Sequence, residues 1–563
     1  MSAFAVRTLA DVKVPMRDRV ALSADVYLPE AAGPFPTVLL RTPYDNNGDA
    51  LIQKGRRLAN QGYACVIQDC RGRFDSDGEY YPFVHDAVDG FDTQEWIGQQ
   101  AWSNGRVGMA GGSYLGLVQW QSAPLRSRYL TCMAPRVICN DFFSGLVYPG
   151  GALQLGVLMT WGLRTSGRTA QSIEYHNWRE AFRILPLAEC DAAAGHRLPF
   201  WRDWLAHPTY DDYWRALSVE ERYEQIAAPA LSMGGWYDLY ASQTFDNHNG
   251  LVSRGRTPEA RRSKLIVGPW AHALSVSTRT GDVDFGAGSQ VDLEALEVRW
   301  FDHWLRGVDT GVLDEPPIRL FVMGANVWRD EREWPLARTD WQRWYLHSAG
   351  GANTLLGDGA LSTAEPAEEP ADAFTYHPEH PVPTQGGNNC CSPHIVPWGP
   401  YDQRDVEMRH DVLCYTSAPL EADLEVTGPV TAVLYAATDG PDTDWTVKLV
   451  DVRPSGYAMN LCDGIIRARY RESRTEPTLL RPGEVYRYEI GAMVTSNVFR
   501  QGHRVRVEIS SSNFPRFDRN PNTGHPIGQD TETRPARQSV WHTRARPSQV
   551  VLPVVPAAVG GQP

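Results

Sequence analysis

At 563 residues the chain is too long for one hydrophobic core, so two to four domains are expected. Its 42% hydrophobic and 21% charged residues fit a soluble globular protein, and no apolar run approaches the ~18 residues that a membrane span needs. The net charge of −13 disfavours nucleic acid as a partner, because phosphate binding requires concentrated Lys and Arg.

Residues 1 to about 35 contain short alternating pieces, such as Val20 to Leu28, that suit an antiparallel hairpin at a sheet edge. The stretch Pro34 to Leu40 leads into a buried strand that ends at Arg41-Thr-Pro-Tyr44, and a second apolar run follows from Tyr63 to Asp69. Two such strands joined by a helix-length crossover predict a parallel sheet. Asp69-Cys-Arg-Gly-Arg-Phe-Asp-Ser-Asp-Gly78 carries many charges but no calcium-loop pattern, and reads as a turn held by Asp and Arg hydrogen bonds. Val84, Val88 and Phe91 then predict a helix by their spacing of four and three.

Asn104 to Gly116 reads Asn-Gly-Arg-Val-Gly-Met-Ala-Gly-Gly-Ser-Tyr-Leu-Gly. A short apolar run enters a Gly-Gly pair, Ser113 stands at the apex, and a helical pattern continues from Tyr114. This is the strand, sharp turn and helix of a nucleophile elbow, in which Gly111, Gly112 and Gly116 let strand and helix approach. A further strand is expected from Tyr129. From residue 141 to 226 Trp, Tyr, Leu, Arg and Glu recur at helical spacing, which predicts a helical cap inserted over the sheet. The sheet resumes in Pro229 to Asp238 and again in Lys264 to His272. Leu293, Leu296, Trp300 and Trp304 then form the apolar stripe of a long helix, with Asp292 as its cap and an end near Gly307. Beyond Asp314 the pattern turns to period two, as in Val505, Val507 and Ile509, and predicts an all-β sandwich of jelly-roll type.

Acyl transfer needs a nucleophile, a base, an orienting carboxylate and oxyanion donors. In an α/β-hydrolase the order is Ser, Asp, His, each at the end of a different strand. Ser113, Asp238 and His272 meet that order, and each follows an apolar run. They are therefore the candidate catalytic residues. Tyr44, by position alone, is either a core tyrosine or an oxyanion donor, since it follows a strand in the region that supplies such donors.

The nine cysteines are scattered, with no Cys-x-x-Cys pair, which argues against a zinc ribbon or a thioredoxin-type centre. Buried thiols are expected, with the adjacent Cys390 and Cys391 read as two small loop residues. The opening residues show no basic region followed by a long apolar one, so the expected location is cytoplasmic.

The chain resembles the cocaine esterase-like branch of the X-Pro dipeptidyl-peptidase family, which is also similar to α-amino acid ester hydrolases and glutaryl acylases. The matching stretches are Arg41-Thr-Pro-Tyr; Asp69-Cys-Arg-Gly-Arg; Gly112-Ser-Tyr-Leu-Gly; Gly235-Trp-Tyr-Asp; Gly268-Pro-Trp-Ala-His; Pro381-Val-Pro-Thr-Gln-Gly-Gly; and Ser510-Ser-Ser-Asn-Phe-Pro-Arg-Phe-Asp. The resemblance implies an α/β fold: an α/β-hydrolase domain over 1–140 and 227–312, a helical cap over 141–226, and a jelly-roll β domain over 313–563. It also implies that the Tyr44 hydroxyl and the Tyr114 backbone N–H form an oxyanion hole. A pocket between the three parts is implied too, reached by Asn388 from the segment after Gly387. Tyr240, two places beyond the acid, and Trp161 in the cap are expected to line it, with core packing as an equal reading for Trp161.

The expected activity is hydrolysis of an ester or amide through a covalent acyl-enzyme, with no metal and no cofactor. The expected partner is a small-molecule ester or amide, with no nucleic acid and no membrane; a homo-oligomer is left open. Leu239 and Tyr240 follow the acid where the α-amino ester branch carries acidic residues that bind an ammonium. A neutral, aromatic or apolar acyl group is therefore ranked first. An X-Pro-type dipeptidyl aminopeptidase or an α-amino acid ester hydrolase or acyltransferase is the alternative.

Overall fold

Apolar runs bounded by Gly and Pro build the first sheet. The computed structural model describes residues 4–556. Strands β1 (Val6–Pro15) and β2 (Ala21–Pro29) form an antiparallel edge hairpin, and β2 pairs antiparallel with β4 (Ala64–Asp69). From β4 the sheet is parallel through β3 (Phe35–Thr42), β5 (Ser103–Gly112), β6 (Leu130–Arg136), β7 (Leu231–Gly235) and β8 (Lys264–Gly268). β4, β7 and β8 are buried along their whole length, as expected of parallel strands covered on both faces.

The sheet does not stop at residue 312. Ile318–Val322 pairs in parallel with β8, and Val327–Glu331 adds an antiparallel edge, giving ten strands. The Pro-Pro pair at 316–317 marks a turn into the same sheet, so these two strands, assigned by sequence to the β domain, belong to the first sheet.

Helices α1 (Asp49–Asn60), α2 (Asp86–Gly98) and α3 (Tyr114–Ser122) cover this sheet with the helix Leu293–Arg306. That last helix follows its sequence signals: Asp292 accepts from the Ala295 N–H at 2.9 Å, and Gly307 ends it at φ 72°. The expected stripe of α2 is not its buried face. Val84 lies before the helix and is exposed, Val88 is exposed on it, and the buried positions include Asp86, Asp89, Thr93 and Gln94. This face is polar because it packs on arginines: Arg71 bridges Asp89 at 2.6 Å, and Arg41 lies 3.4 Å from Asp86. A buried carboxylate is tolerated only with such partners.

The cap holds Leu155–Thr165 (α4) and several shorter helices, among them Pro199–Ala206 and Asp212–Leu217. The C-terminal part is a twelve-stranded, mainly antiparallel all-β domain around Trp445, Val447 and Ile509. It reaches the first domain through Tyr237, whose hydroxyl donates to the Asn460 carbonyl at 3.1 Å. Among the described residues no helix is long and apolar enough to cross a membrane.

Candidate active site

Ser113 sits between β5 and α3 at φ 57° and ψ −127°, a conformation that an L-residue adopts only under constraint. β6 supplies that constraint. Its Arg136 carbonyl accepts the Ser113 N–H at 3.0 Å, and a Cβ on Gly116 would stand 2.8 Å from the same oxygen. Only glycine lets α3 approach this closely, which is why the elbow ends Tyr-Leu-Gly. Tyr114 opens α3, so its N–H has no acceptor within the helix. Its hydroxyl donates to Asp86 and accepts from the Phe83 N–H at 3.0 Å. Burial and the neighbouring Asp86 hold the Tyr114 phenol well above its ordinary pKa, so it stays protonated and bonded.

Asp238 and His272 follow adjacent strands, β7 and β8. Gly235 lets their loops meet, since a Cβ there would lie 2.2 Å from the Trp270 carbonyl. The Tyr237 N–H donates to that same carbonyl at 3.0 Å. His272 Nδ1 then stands 2.6 Å from Asp238 Oδ2, with Asp238 fully buried. Asp238 Oδ1 accepts from the Tyr240 N–H at 2.9 Å. With Nδ1 bonded to the carboxylate, a neutral imidazole presents Nε2 as its acceptor. That Nε2 is buried and has no hydrogen-bond partner among the described residues.

Tyr44 is held from the cap. Trp161 Nε1 donates to its hydroxyl at 2.9 Å. Burial pushes the Tyr44 phenol above its usual pKa, while the Trp161 and Ser113 side chains beside it pull the other way. The group is thus a phenol at neutral pH, able to donate.

A narrow cavity opens at Ser113; neither Asp238 nor His272 lines it, and His272 Nε2 makes no hydrogen bond to Ser113. Ser113, Tyr44, Tyr114, Trp161 and Tyr240 line it with Phe83, Leu117, Ile138, Leu146, Val157, Leu158, Cys390 and Cys391. Phe83 stacks on Trp161 with centroids 5.6 Å apart and planes 7° from parallel, and the Tyr240 ring lies 6.1 Å from His272. Asn388, expected to touch substrate, is not among the residues that line this cavity. Its amide donates to the carbonyls of Trp236 at 2.8 Å and Asp238 at 3.0 Å, pinning the loop that carries the acid. Cys390 and Cys391 are not free thiols but are joined by a disulfide, whereas the other seven cysteines are buried and unpaired.

Residues 18–274 match the model of the X-Pro dipeptidyl-peptidase (S15 family), and residues 310–551 match that of the X-Pro dipeptidyl-peptidase C-terminal non-catalytic domain. Cocaine esterase from Rhodococcus sp. (strain MB1 Bresler) is 40% identical over 97% of this chain and 98% of that protein. The chain belongs to the X-Pro dipeptidyl-peptidase (S15) family. Two solved structures resemble this S15 member along their length. An aminopeptidase from the marine sediment archaeon Thaumarchaeota archaeon is 26% identical, with TM-score 0.84, covering 98% of this chain and 97% of that one. An α-amino acid ester hydrolase has the same identity and TM-score, covering 98% of this chain and 96% of that one. The S15 chain is an ester or amide hydrolase.

Sequence reasoning passed over two residues that hold the site. Arg73 is fully buried and joins the Tyr44 loop to the cap, donating to the Pro43 carbonyl at 2.8 Å and the Thr165 carbonyl at 2.7 Å. Asp86 ties Tyr114 to the buried Arg41. The arginines stood in quoted motifs, but nothing local to the sequence names their carbonyl and carboxylate partners.

Proposed function

We propose that this S15 hydrolase cleaves small-molecule esters, and activated amides, of a neutral aromatic or apolar acyl group through an acyl-enzyme on Ser113. The observation that carries the reading is the cavity. Its wall at Ser113 is aromatic and aliphatic, and none of its lining residues among those described is acidic. An acyl ring fits such a wall, whereas a substrate ammonium would be desolvated there without a counter-charge.

His272 Nε2 takes the Ser113 proton as Oγ attacks the carbonyl carbon. The carbonyl π pair moves onto oxygen, where the Tyr44 hydroxyl and the Tyr114 N–H donate to it. Asp238 keeps Nδ1 protonated and stabilises the imidazolium. The tetrahedral centre collapses, His272 protonates the departing alcohol or amine, and the acyl group remains on Ser113. Water then attacks with His272 as base, and the acid leaves as Ser113 recovers its proton.

The test compares initial rates on p-nitrophenyl benzoate, p-nitrophenyl butyrate and Gly-Pro-p-nitroanilide, with Ser113→Ala as control. The expected result is turnover of the esters well above the dipeptide anilide, abolished in Ser113→Ala. Faster cleavage of Gly-Pro-p-nitroanilide would overturn the neutral-acyl reading in favour of the X-Pro aminopeptidase.

A further inference from the structure

The Cys390–Cys391 disulfide borders the cavity, yet no step of the proposed chemistry uses a sulfur. A ring nitrogen of His272 and the two sulfur atoms all lie within 4.8 Å of one another. We propose that reduction of this disulfide turns Cys390, Cys391 and His272 into a site for one soft divalent cation, whose binding silences the hydrolase. Loss of activity rests on His272 being the base; the binding itself does not.

Three features support the site. Two thiolates and an imidazole are the donor set that zinc and cadmium prefer over hard cations. His272 Nδ1 is engaged by Asp238, and Nε2 is buried and unpartnered, so one nitrogen is oriented by a carboxylate while the other is free to ligate. A carboxylate behind a histidine is the arrangement that orients metal-binding imidazoles. Finally, Cys391 is only partly buried, which gives a reductant access to the bond.

A tetrahedral zinc with bonds of about 2.3 Å to sulfur and 2.0 Å to nitrogen places its ligand atoms roughly 3.5 Å apart. The two sulfurs, bonded in the disulfide, must therefore part, while a sulfur-to-nitrogen spacing of up to 4.8 Å closes by about 1 Å, movements that opening the S–S bond permits through side-chain rotation.

The chemistry balances with a dithiol as reductant. Its thiolate attacks one sulfur, the S–S bond breaks, and its second thiol resolves the mixed disulfide. Two cysteine thiols and the oxidised reductant result. The cation then releases both thiol protons to solvent and accepts the lone pair of the imidazole.

The experiment uses the full-length protein and cadmium as probe. The protein is treated with a trialkylphosphine, which is oxidised to its oxide with oxygen from water, and cleared of excess reagent. Titration with Cd²⁺ is followed by thiolate-to-cadmium absorption and by ester hydrolysis. Reduced wild type is expected to gain two titratable thiols and bind one equivalent of Cd²⁺ with the absorption band. Its activity should fall by roughly 10²-fold or more, as for loss of a general base, and return with EDTA. Unreduced wild type and the Cys390→Ser/Cys391→Ser variant should show neither the band nor a cadmium-dependent change in their own rates. His272→Ala should weaken binding, read by absorption alone. A reduced wild type whose absorption matches that of the double serine variant would overturn the site. If the protein hydrolyses no ester at all, the reading of the function fails while the absorption still decides the metal site.

Discussion

Trp161 Nε1 donates to the Tyr44 hydroxyl across 2.9 Å, joining the cap to the loop after β3. The indole N–H can only donate, so the phenol oxygen is its acceptor and the phenol's own proton is left for another partner. Ser113 lies beside that hydroxyl. In the proposed mechanism the cap would preset Tyr44 as a donor to the oxygen of the carbonyl that Ser113 attacks.

Tyr44→Phe keeps the ring and removes the donor. Its kcat should fall on the order of 10²-fold, with a smaller change in KM, as for loss of one oxyanion donor. Trp161→Phe leaves the donor but frees its orientation, and a smaller loss in kcat is expected. Steady-state kinetics on one ester checks both, and an unchanged kcat in Tyr44→Phe would return Tyr44 to a packing role.

We propose that Asn388 acts through Asp238, whose loop its amide holds. Asn388→Ala leaves the buried carbonyls of Trp236 and Asp238 without their donor, which costs about 1–3 kcal/mol each before relaxation. The expected outcome is a lowered kcat with KM little changed, because the acid loses its fixed position while the cavity wall stays. A rise in KM alone would instead make Asn388 a substrate contact.

Arg73→Met removes a buried guanidinium that serves carbonyls on two parts of the molecule. Urea unfolding should show a loss of roughly 2–4 kcal/mol, from the unsatisfied Pro43 and Thr165 carbonyls. Unchanged stability would mean that water satisfies those oxygens equally well.

Asp69, at the end of β4, sets a pH dependence. Burial pushes its carboxyl from 3.8 up to about 7, against the pull of the Asn46 N–H that donates to it at 2.9 Å. Between those values the folded state keeps a proton that the unfolded chain has released, so this contribution to stability declines as pH rises through the window. The full difference is about 4 kcal/mol, at roughly 1.36 kcal/mol per tenfold change in proton affinity. Asp69→Asn never ionises, so its stability relative to wild type should rise steadily over about pH 4–7. Urea melts at several pH values check this, and a constant difference would contradict it.

Legibility followed the range of the interactions. The elbow, Asp238 and His272 could be placed because each ends an apolar run, and parallel strands of one sheet carry their ends to one edge. The contact between Asp238 and His272 follows from β7 and β8 being neighbours. The buried face of α2 could not be read, since Asp86 and Asp89 are buried only because Arg41 and Arg71 arrive from elsewhere. Asn388 was placed in the right neighbourhood, but the direction of its amide is set by carbonyls of the loop after β7. The Cys390–Cys391 bond had no spacing signal, because adjacent cysteines look alike whether oxidised or not. The strands at Ile318 and Val327 were lost to a proline pair that marks a turn as readily as a domain boundary.

The most direct test of the account is covalent capture of the nucleophile. Wild-type protein, confirmed folded by circular dichroism, is incubated with a fluorophosphonate, and the modified peptide is identified by mass spectrometry. A single adduct on Ser113, formed in step with loss of esterase activity and markedly slowed in His272→Ala, is the predicted result. An active, folded enzyme whose Ser113 stays unmodified, or a Ser113→Ala variant that hydrolyses esters at the wild-type rate, would contradict it.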